Sequence, residues 1–283
     1  MNMANRTPRR LYSSLRRAWT TLEELRLASV TSSWTLLTER SDNPLTTPAR
    51  RYWSQADEDG ILEQILKRTG SPDDGVFLEY GVGDGSQCNT LLLLSLGWRG
   101  GWVSGEPLIF EPRPGGRLAF ERAWVTRKNV VELGQKALAR LAGPSETTLA
   151  DVDVVSLDLD GNDFHFTEEL LSSGLRPRVW IAEYNARFPV GSQWVMPYNE
   201  THTWNEGDYF GAAISAFAEL FERFGYFPVA CSAQGANVFF VRDDYRENFQ
   251  DVPKDLHSLY RPLLRATRKW GHEVSAQTLE SLT

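Results

Sequence analysis

The sequence predicts an α/β fold: a doubly wound, mostly parallel sheet of seven strands with a terminal antiparallel hairpin and an N-terminal helical extension. Three observations carry this expectation. From Ser54 onward, short apolar runs alternate with amphipathic helical stretches, the order of a parallel sheet covered on both faces. The first apolar run, Val76-Phe77-Leu78-Glu79-Tyr80, enters a glycine-rich turn and then a helix. The last two runs are joined by Ala233-Gln234-Gly235, a connection short enough to make them antiparallel.

The elements follow in order. Leu11, Leu15, Ala18, Leu22 and Leu25 recur at four- and three-residue spacing, the stripe of an amphipathic helix, with Arg9, Arg10, Arg16 and Arg17 around its start. Such a helix packs on the main domain or on a second subunit of a homo-oligomer, or it rests peripherally on an anionic membrane surface. Glu23 and Glu24 interrupt its basic face and favour packing. Residues 41–50, with two prolines, read as a linker. Ser54 can cap a helix over 55–68, with Asp57, Glu58 and Asp59 in its first turn against the helix dipole. Strands are expected at 76–80, 101–104, 118–126, 153–159, 179–184, 227–231 and 238–241. Helices are expected at 89–96, 129–141, 167–173 and 212–224. The organisation is thus an extension over 1–50, a main domain over 51–250 and a helical tail over 251–283.

Composition narrows the function. Of 283 residues, 41% are apolar and 24% charged, and no apolar run reaches the roughly 20 residues of a membrane span. No apolar stretch of a secretory signal follows the basic start. The two cysteines, Cys88 and Cys231, make no disulfide framework and no metal spacing, which fits a reducing cytoplasm. Residues 1–51 carry nine Lys/Arg against four Asp/Glu, so within a net charge of −7 the main body is acidic. That argues against nucleic acid as a partner, since such binding rests on neutralising phosphates.

The glycine loop Gly81-Val82-Gly83-Asp84-Gly85 has the spacing G-x-G-x-G, with Glu79 two residues before it. Glycines at 81, 83 and 85 permit a tight turn and close backbone approach by a ligand, and the helix beyond offers amide donors. The spacing is neither the G-x-G-x-x-G of dinucleotide binders nor a Walker loop. An acid at the strand end repels a pyrophosphate and suits a ligand with positive charge, such as the ammonium and sulfonium of S-adenosylmethionine.

Over residues 54–241 the chain resembles the bacterial class I methyltransferases related to the FkbM-like enzymes that O-methylate sugars and secondary metabolites. The matching pieces are Ser54-Gln55-Ala56-Asp57-Glu58-Asp59-Gly60, the glycine loop, Asn89-Thr90 and Leu96-Gly97-Trp98-Arg99-Gly100. Further along they are Asp158-Leu159-Asp160-Gly161-Asn162-Asp163, Glu183-Tyr184-Asn185, Asp208-Tyr209-Phe210-Gly211-Ala212 and Asn237-Val238-Phe239-Phe240-Val241. The resemblance implies a Rossmann-like fold, S-adenosylmethionine as cofactor and contacts to it from Gln55, Glu79, Gly81, Gly83, Gly85, Asn89 and Asp158. It also implies an acid after the second strand for the ribose hydroxyls: Glu106, about 20 residues past the loop, with Glu111 as competitor. The acceptor stays open between a glycan and another small molecule.

Asp158 and Asp160 stand two residues apart at a strand end and so point to one side, and Glu183 and Asn185 repeat that spacing on the next strand. Four such oxygen donors suit Mg²⁺ or Mn²⁺, and the resemblance implies metal-dependent O-methylation at these strand ends. Without a metal, the same acids would bind adenine or orient water. Asp160 and His165 are the candidate catalytic residues, His165 as general base or else as a capping or surface histidine. Tyr184 and, on the segment 187–210, Trp194, His202, Trp204 and Tyr209 are candidates for an acceptor pocket or lid. Two rival readings remain. Asp158-Leu159-Asp160 is also the Asp-x-Asp of metal-dependent nucleotide-sugar glycosyltransferases, and a methyltransferase fold can serve binding alone.

Overall fold

The computed structural model describes residues 21, 22, 25, 41–46, 50–70, 72–143, 146–205, 207–262 and 274–282. The main body runs α1 (Glu58–Thr69), β1 (Val76–Tyr80), α2 (Leu91–Ser95), β2 (Arg99–Ser104), β3 (Leu118–Arg122) and α3 (Val130–Leu138). It continues through β4 (Val154–Leu157), α4 (Asp163–Ser172), β5 (Val179–Glu183), α5 (Ile214–Arg223), β6 (Tyr226–Cys231) and β7 (Asn237–Arg242). Two short helices, α6 (Leu256–Leu259) and α7 (Ala276–Ser281), lie in the tail.

The seven strands form one sheet in the order β3-β2-β1-β4-β5-β7-β6. The first five are parallel, with Val76 opposite Arg99 and Phe77 opposite Val154; β7 runs antiparallel to both β5 and β6. Strand period two divides the core. Val76, Leu78 and Tyr80 face a layer containing Leu133, Leu170 and Phe217 of α3, α4 and α5. Phe77 faces the other layer, with Ile61 and Ile65 of α1 and Leu93 of α2. The chain order reverses between β1 and β4, so the crevice beyond their carboxyl ends is the topological switch point, where ligands bind in open α/β sheets.

Several expected boundaries move, each for a local reason. Ser54 is not the residue before α1, which is Asp57, although its hydroxyl accepts the Asp59 N–H of the first turn at 3.3 Å. Its N–H, with those of Tyr52 and Trp53, donates to one oxygen of the buried Asp59, at 2.9, 2.7 and 2.6 Å. That carboxylate folds 52–54 into a tight loop, and α1 begins only at Glu58. Helix α4 begins at Asp163, four residues before the expected Thr167, because the buried Asp163 carboxylate anchors the loop ahead of it. Strand β3 ends at Arg122 rather than 126. Residues 41–46 are no free linker: Leu45 is fully buried in the α1 layer, and the Asn43 amide donates to Val229 O at 2.7 Å. Of the N-terminal leucine stripe, Leu22 and Leu25 are exposed, and its other members lie outside the described residues. Both cysteines are free and buried. Among the described residues no helix is long and apolar enough to cross a membrane.

Candidate functional site

The crevice has two sides, and the glycine loop forms the first. Gly81 sits at φ 87°, and a Cβ there would lie 1.5 Å from the Asp158 carbonyl oxygen, so the end of β1 closes against the end of β4 with no room for a side chain. Gly83, at φ 53°, differs: a Cβ there meets nothing within 4 Å, so its open side is where a ligand can approach the backbone. The Gly85 N–H donates to Val82 O at 2.9 Å and closes the turn.

Glu79 is buried and already engaged. Its carboxylate accepts the N–H groups of Asn89 and Thr90, at 2.9 and 3.1 Å, and the Thr90 hydroxyl. Thr90 Oγ1 in turn accepts from the Trp102 indole at 2.9 Å. Burial pushes the Glu79 carboxyl up, while the Thr90 hydroxyl and the two amides oppose the shift. Glu79 therefore holds the start of α2 against the sheet. Asn89 is likewise turned inward, donating to Ser156 Oγ at 3.0 Å. Gln55 is exposed beside the β6–β7 turn, its carbonyl accepting from Gln234. Glu106 and Glu111 both lie exposed on the loop after β2, with the Glu106 N–H on Ser104 Oγ at 3.3 Å.

The second side is acidic. One carboxylate oxygen from each of Asp158, Asp160 and Glu183 falls within 4.8 Å of the others, and all three residues are half-buried. Burial first, and then the charges of Asp160 and Asp163, hold the Asp158 carboxyl well above the usual carboxylate range. Burial and the neighbouring Asp158 and Asp160 do the same for Glu183. Asp160 adopts φ 53°, the one non-glycine residue with positive φ among those described. Asp163 fixes that conformation by accepting the N–H groups of Leu159 and Gly161 at 2.6 and 2.7 Å. Three of the four predicted ligands thus converge. Asn185 does not join them: its amide donates to Asp208 O and Phe210 O at 2.8 and 2.9 Å, and its oxygen accepts from Arg187 N. The strand has ended at Glu183, so two-residue spacing no longer carries Asn185 to the same side. Three crowded carboxyls, of which Asp158 and Glu183 are raised by burial and then by neighbouring charge, are a donor set that a hard dication fits.

The remaining predicted residues serve the framework. His165 Nε2 donates to Met196 O at 2.8 Å, and its ring packs edge-on to Tyr198; burial lowers its pKa, so the neutral ring tethers the segment after β5. In that tautomer Nδ1 is the unprotonated ring nitrogen. Tyr184 is buried in the core, with its hydroxyl on Arg261 O. Trp194 stacks on Phe188 at 4.2 Å, meets Tyr209 edge-on and donates to Ser281 Oγ at 2.8 Å. Trp204 donates to Gly207 O at 2.9 Å and lies edge-on to Phe210. His202 stands nearer the acids. Its ring lies against Gly161, where a Cβ would come within 2.4 Å, and its Nε2 is buried with no hydrogen-bond partner.

The strand order with an antiparallel seventh strand defines the class I methyltransferase fold. No family model and no curated protein matches the chain. Among solved structures it is similar to CalO1, a methyltransferase in calicheamicin biosynthesis in its SAH-bound form. That match has 14% identity over 74% of this chain and 68% of that one, with a TM-score of 0.35. It is also similar to the mitomycin 7-O-methyltransferase MmcR, at 17% identity over 80% and 67% of the two chains, with a TM-score of 0.31.

Proposed function

We propose that this protein is an S-adenosylmethionine-dependent O-methyltransferase acting on a hydroxyl of a glycan or secondary metabolite, with a divalent cation at the acidic strand ends. The observation that carries the reading is the pairing, across one switch-point crevice, of a glycine turn open at Gly83 with the carboxylates of Asp158, Asp160 and Glu183. The first accepts close backbone approach by a nucleoside ligand, and the second supplies the negative charge that a sulfonium or ammonium favours. Asp158, Asp160 and Glu183 would hold Mg²⁺ or Mn²⁺, which when bound supplies charge that orients a chelating hydroxyl and lowers its pKa. Methyl transfer is an in-line displacement, so the residues' main contribution is position. Asp163 fixes the Asp158–Gly161 turn, and His165 and Asn162 fix the segment across from it.

Calorimetric titration with S-adenosylhomocysteine, with and without EDTA and beside UDP-sugar and NAD, tests the reading. Saturable binding of S-adenosylhomocysteine alone is expected. Its absence, with metal-dependent UDP-sugar binding instead, would replace the reading by a glycosyltransferase built on Asp158-Leu159-Asp160. Cofactor binding without turnover on any acceptor would leave a binding protein.

A further inference from the structure

The stretch 274–282 is attached differently from the tail before it. Up to Pro262 the tail is anchored by burial: Leu259 is 1% exposed in the α1 layer, and the Tyr260 hydroxyl donates to Ala186 O at 2.7 Å. Polar contacts attach α7. The Ser275 N–H and the Thr278 hydroxyl both donate to Asp208 Oδ1 at 3.0 Å, and Ser281 Oγ accepts the Trp194 indole N–H at 2.8 Å. Ser275, Thr278 and Ser281, three residues apart, thus make the docked face. The larger apolar side chains turn to solvent, with Val274, Leu279 and Leu282 44%, 55% and 60% exposed. Little hydrophobic burial opposes release, a six-residue helix has no stability of its own, and water can replace each of these hydrogen bonds.

What α7 covers belongs to the wall behind the acidic turn. The Asp208 carboxylate is 2% exposed, and its second oxygen lies 3.4 Å from Arg187 Nε. The Asn185 amide holds Asp208 O and Phe210 O, and the Gly211 N–H donates at 2.8 Å to Gly161 O, one residue past Asp160. Trp194 stacks on Phe188 and meets Tyr209 edge-on. Because Thr278 and Ser281 are three residues apart, the carboxylate and the indole N–H that they meet are separated by about one helical turn. A carboxylate acceptor, an indole donor and a group of aromatic rings are chemistry that recognises hydroxyl groups on a body with apolar faces, as in a saccharide. Here the hydroxyls that meet Asp208 and Trp194 come from the chain itself.

We infer that 274–282 is a displaceable strap whose Thr278 and Ser281 hydroxyls occupy a subsite, formed by Asp208 and Trp194, for hydroxyl groups of a saccharide acceptor. The tail leaves before the acceptor binds there, and the two compete. The inference rests on the methyltransferase reading for what the subsite serves, and deepens it by giving the acceptor end a ligand chemistry and an internal competitor.

The test uses the full chain. In native-state hydrogen exchange, amides 278–282 are expected to exchange by local opening, at a rate that low urea leaves unchanged. Those of β4 and β5 should exchange only through urea-dependent opening. Thr278→Val, which keeps the side-chain shape and removes the hydroxyl, is expected to speed exchange at 278–282 by roughly 10- to 150-fold with an unchanged melting temperature. Ser281→Ala should act in the same direction with a smaller effect. Strap amides that follow the urea dependence of β4 and β5, or that keep wild-type rates in both variants, would overturn the strap.

The second arm is an array of immobilised mono- and oligosaccharides. The Thr278→Val, Ser281→Ala double variant is expected to capture at least one saccharide more tightly than wild type, by up to the factor seen in exchange, because a strap that is open more often taxes the ligand less. Adding Asp208→Asn should remove that gain. No gain in the double variant, or a gain that persists with Asp208→Asn, would overturn the subsite. S-adenosylhomocysteine binding is measured beside both arms. Its absence in a chain that passes them would remove the methyltransferase reading and leave the strap and its saccharide subsite standing.

Discussion

At the end of β1 the buried Glu79 carboxylate accepts two amides and a hydroxyl from its own chain. At the ends of β4 and β5, Asp158 and Glu183 face each other and Asp160, and one Glu183 oxygen is buried without a hydrogen-bond partner. The glycine-loop side is internally satisfied, so what it offers a ligand is backbone shape. The acidic side is held together by backbone anchors such as Asp163, while its carboxylates repel one another. Changes on the first side should therefore be read mainly in stability or steric fit, and changes on the second mainly in ligand and cation response.

The largest break in that contrast is expected within the glycine loop itself. Gly81→Ala should cost more than about 4 kcal/mol or prevent folding, because its Cβ would fall inside the Asp158 carbonyl. Gly83→Val should fold, with a modest backbone penalty, yet lose S-adenosylhomocysteine binding by a hundredfold or more in calorimetry, since the side chain fills the open approach. A well-folded Gly83→Val with wild-type affinity would remove the ligand from that face. Glu79→Ala comes next: leaving two buried amides unpaired should lower urea stability by about 2–4 kcal/mol.

On the acidic side, Asp160→Asn should keep S-adenosylhomocysteine binding and hold or raise the metal-free melting temperature, because a like charge leaves Asp158 and Glu183. It should also abolish any rise in melting temperature caused by Mn²⁺. In the wild type that rise should grow as pH increases above the ordinary carboxylate range, since protons and the cation compete for the same oxygens. A pH-independent Mn²⁺ effect, or one that survives in Asp160→Asn, would separate the cation from this cluster.

The last expectation concerns Asp57, whose carboxyl burial and the adjacent Glu58 push up to about 7. A folded-state pKa raised above the unfolded value stabilises most below the unfolded pKa, and that stability is lost as pH rises through the folded one. The urea midpoint should thus fall between about pH 4 and pH 7. Asp57→Asn, which still accepts from Ala233 N, should flatten part of that slope.

Much of the architecture could be read along the chain because it follows local periodicity: apolar runs of strand length, amphipathic stretches between them and glycine at the turn after β1. The convergence of Asp158, Asp160 and Glu183 was expected from two-residue spacing, but β4 ends at Leu157, and the turn held by Asp163, with Asp160 at φ 53°, is what brings Asp160 to the other two. Partner choice was not legible. Nothing local shows that the Glu79 carboxylate is taken up by the start of α2, nor that His165 Nε2 is tied to Met196 O. Sequence alone carried what strand alternation, helical spacing and glycine stereochemistry impose on each segment. The tertiary structure decided which buried polar atoms pair across distant segments, and so which were left to meet a ligand, because a hydrogen bond is fixed by distance and angle in space.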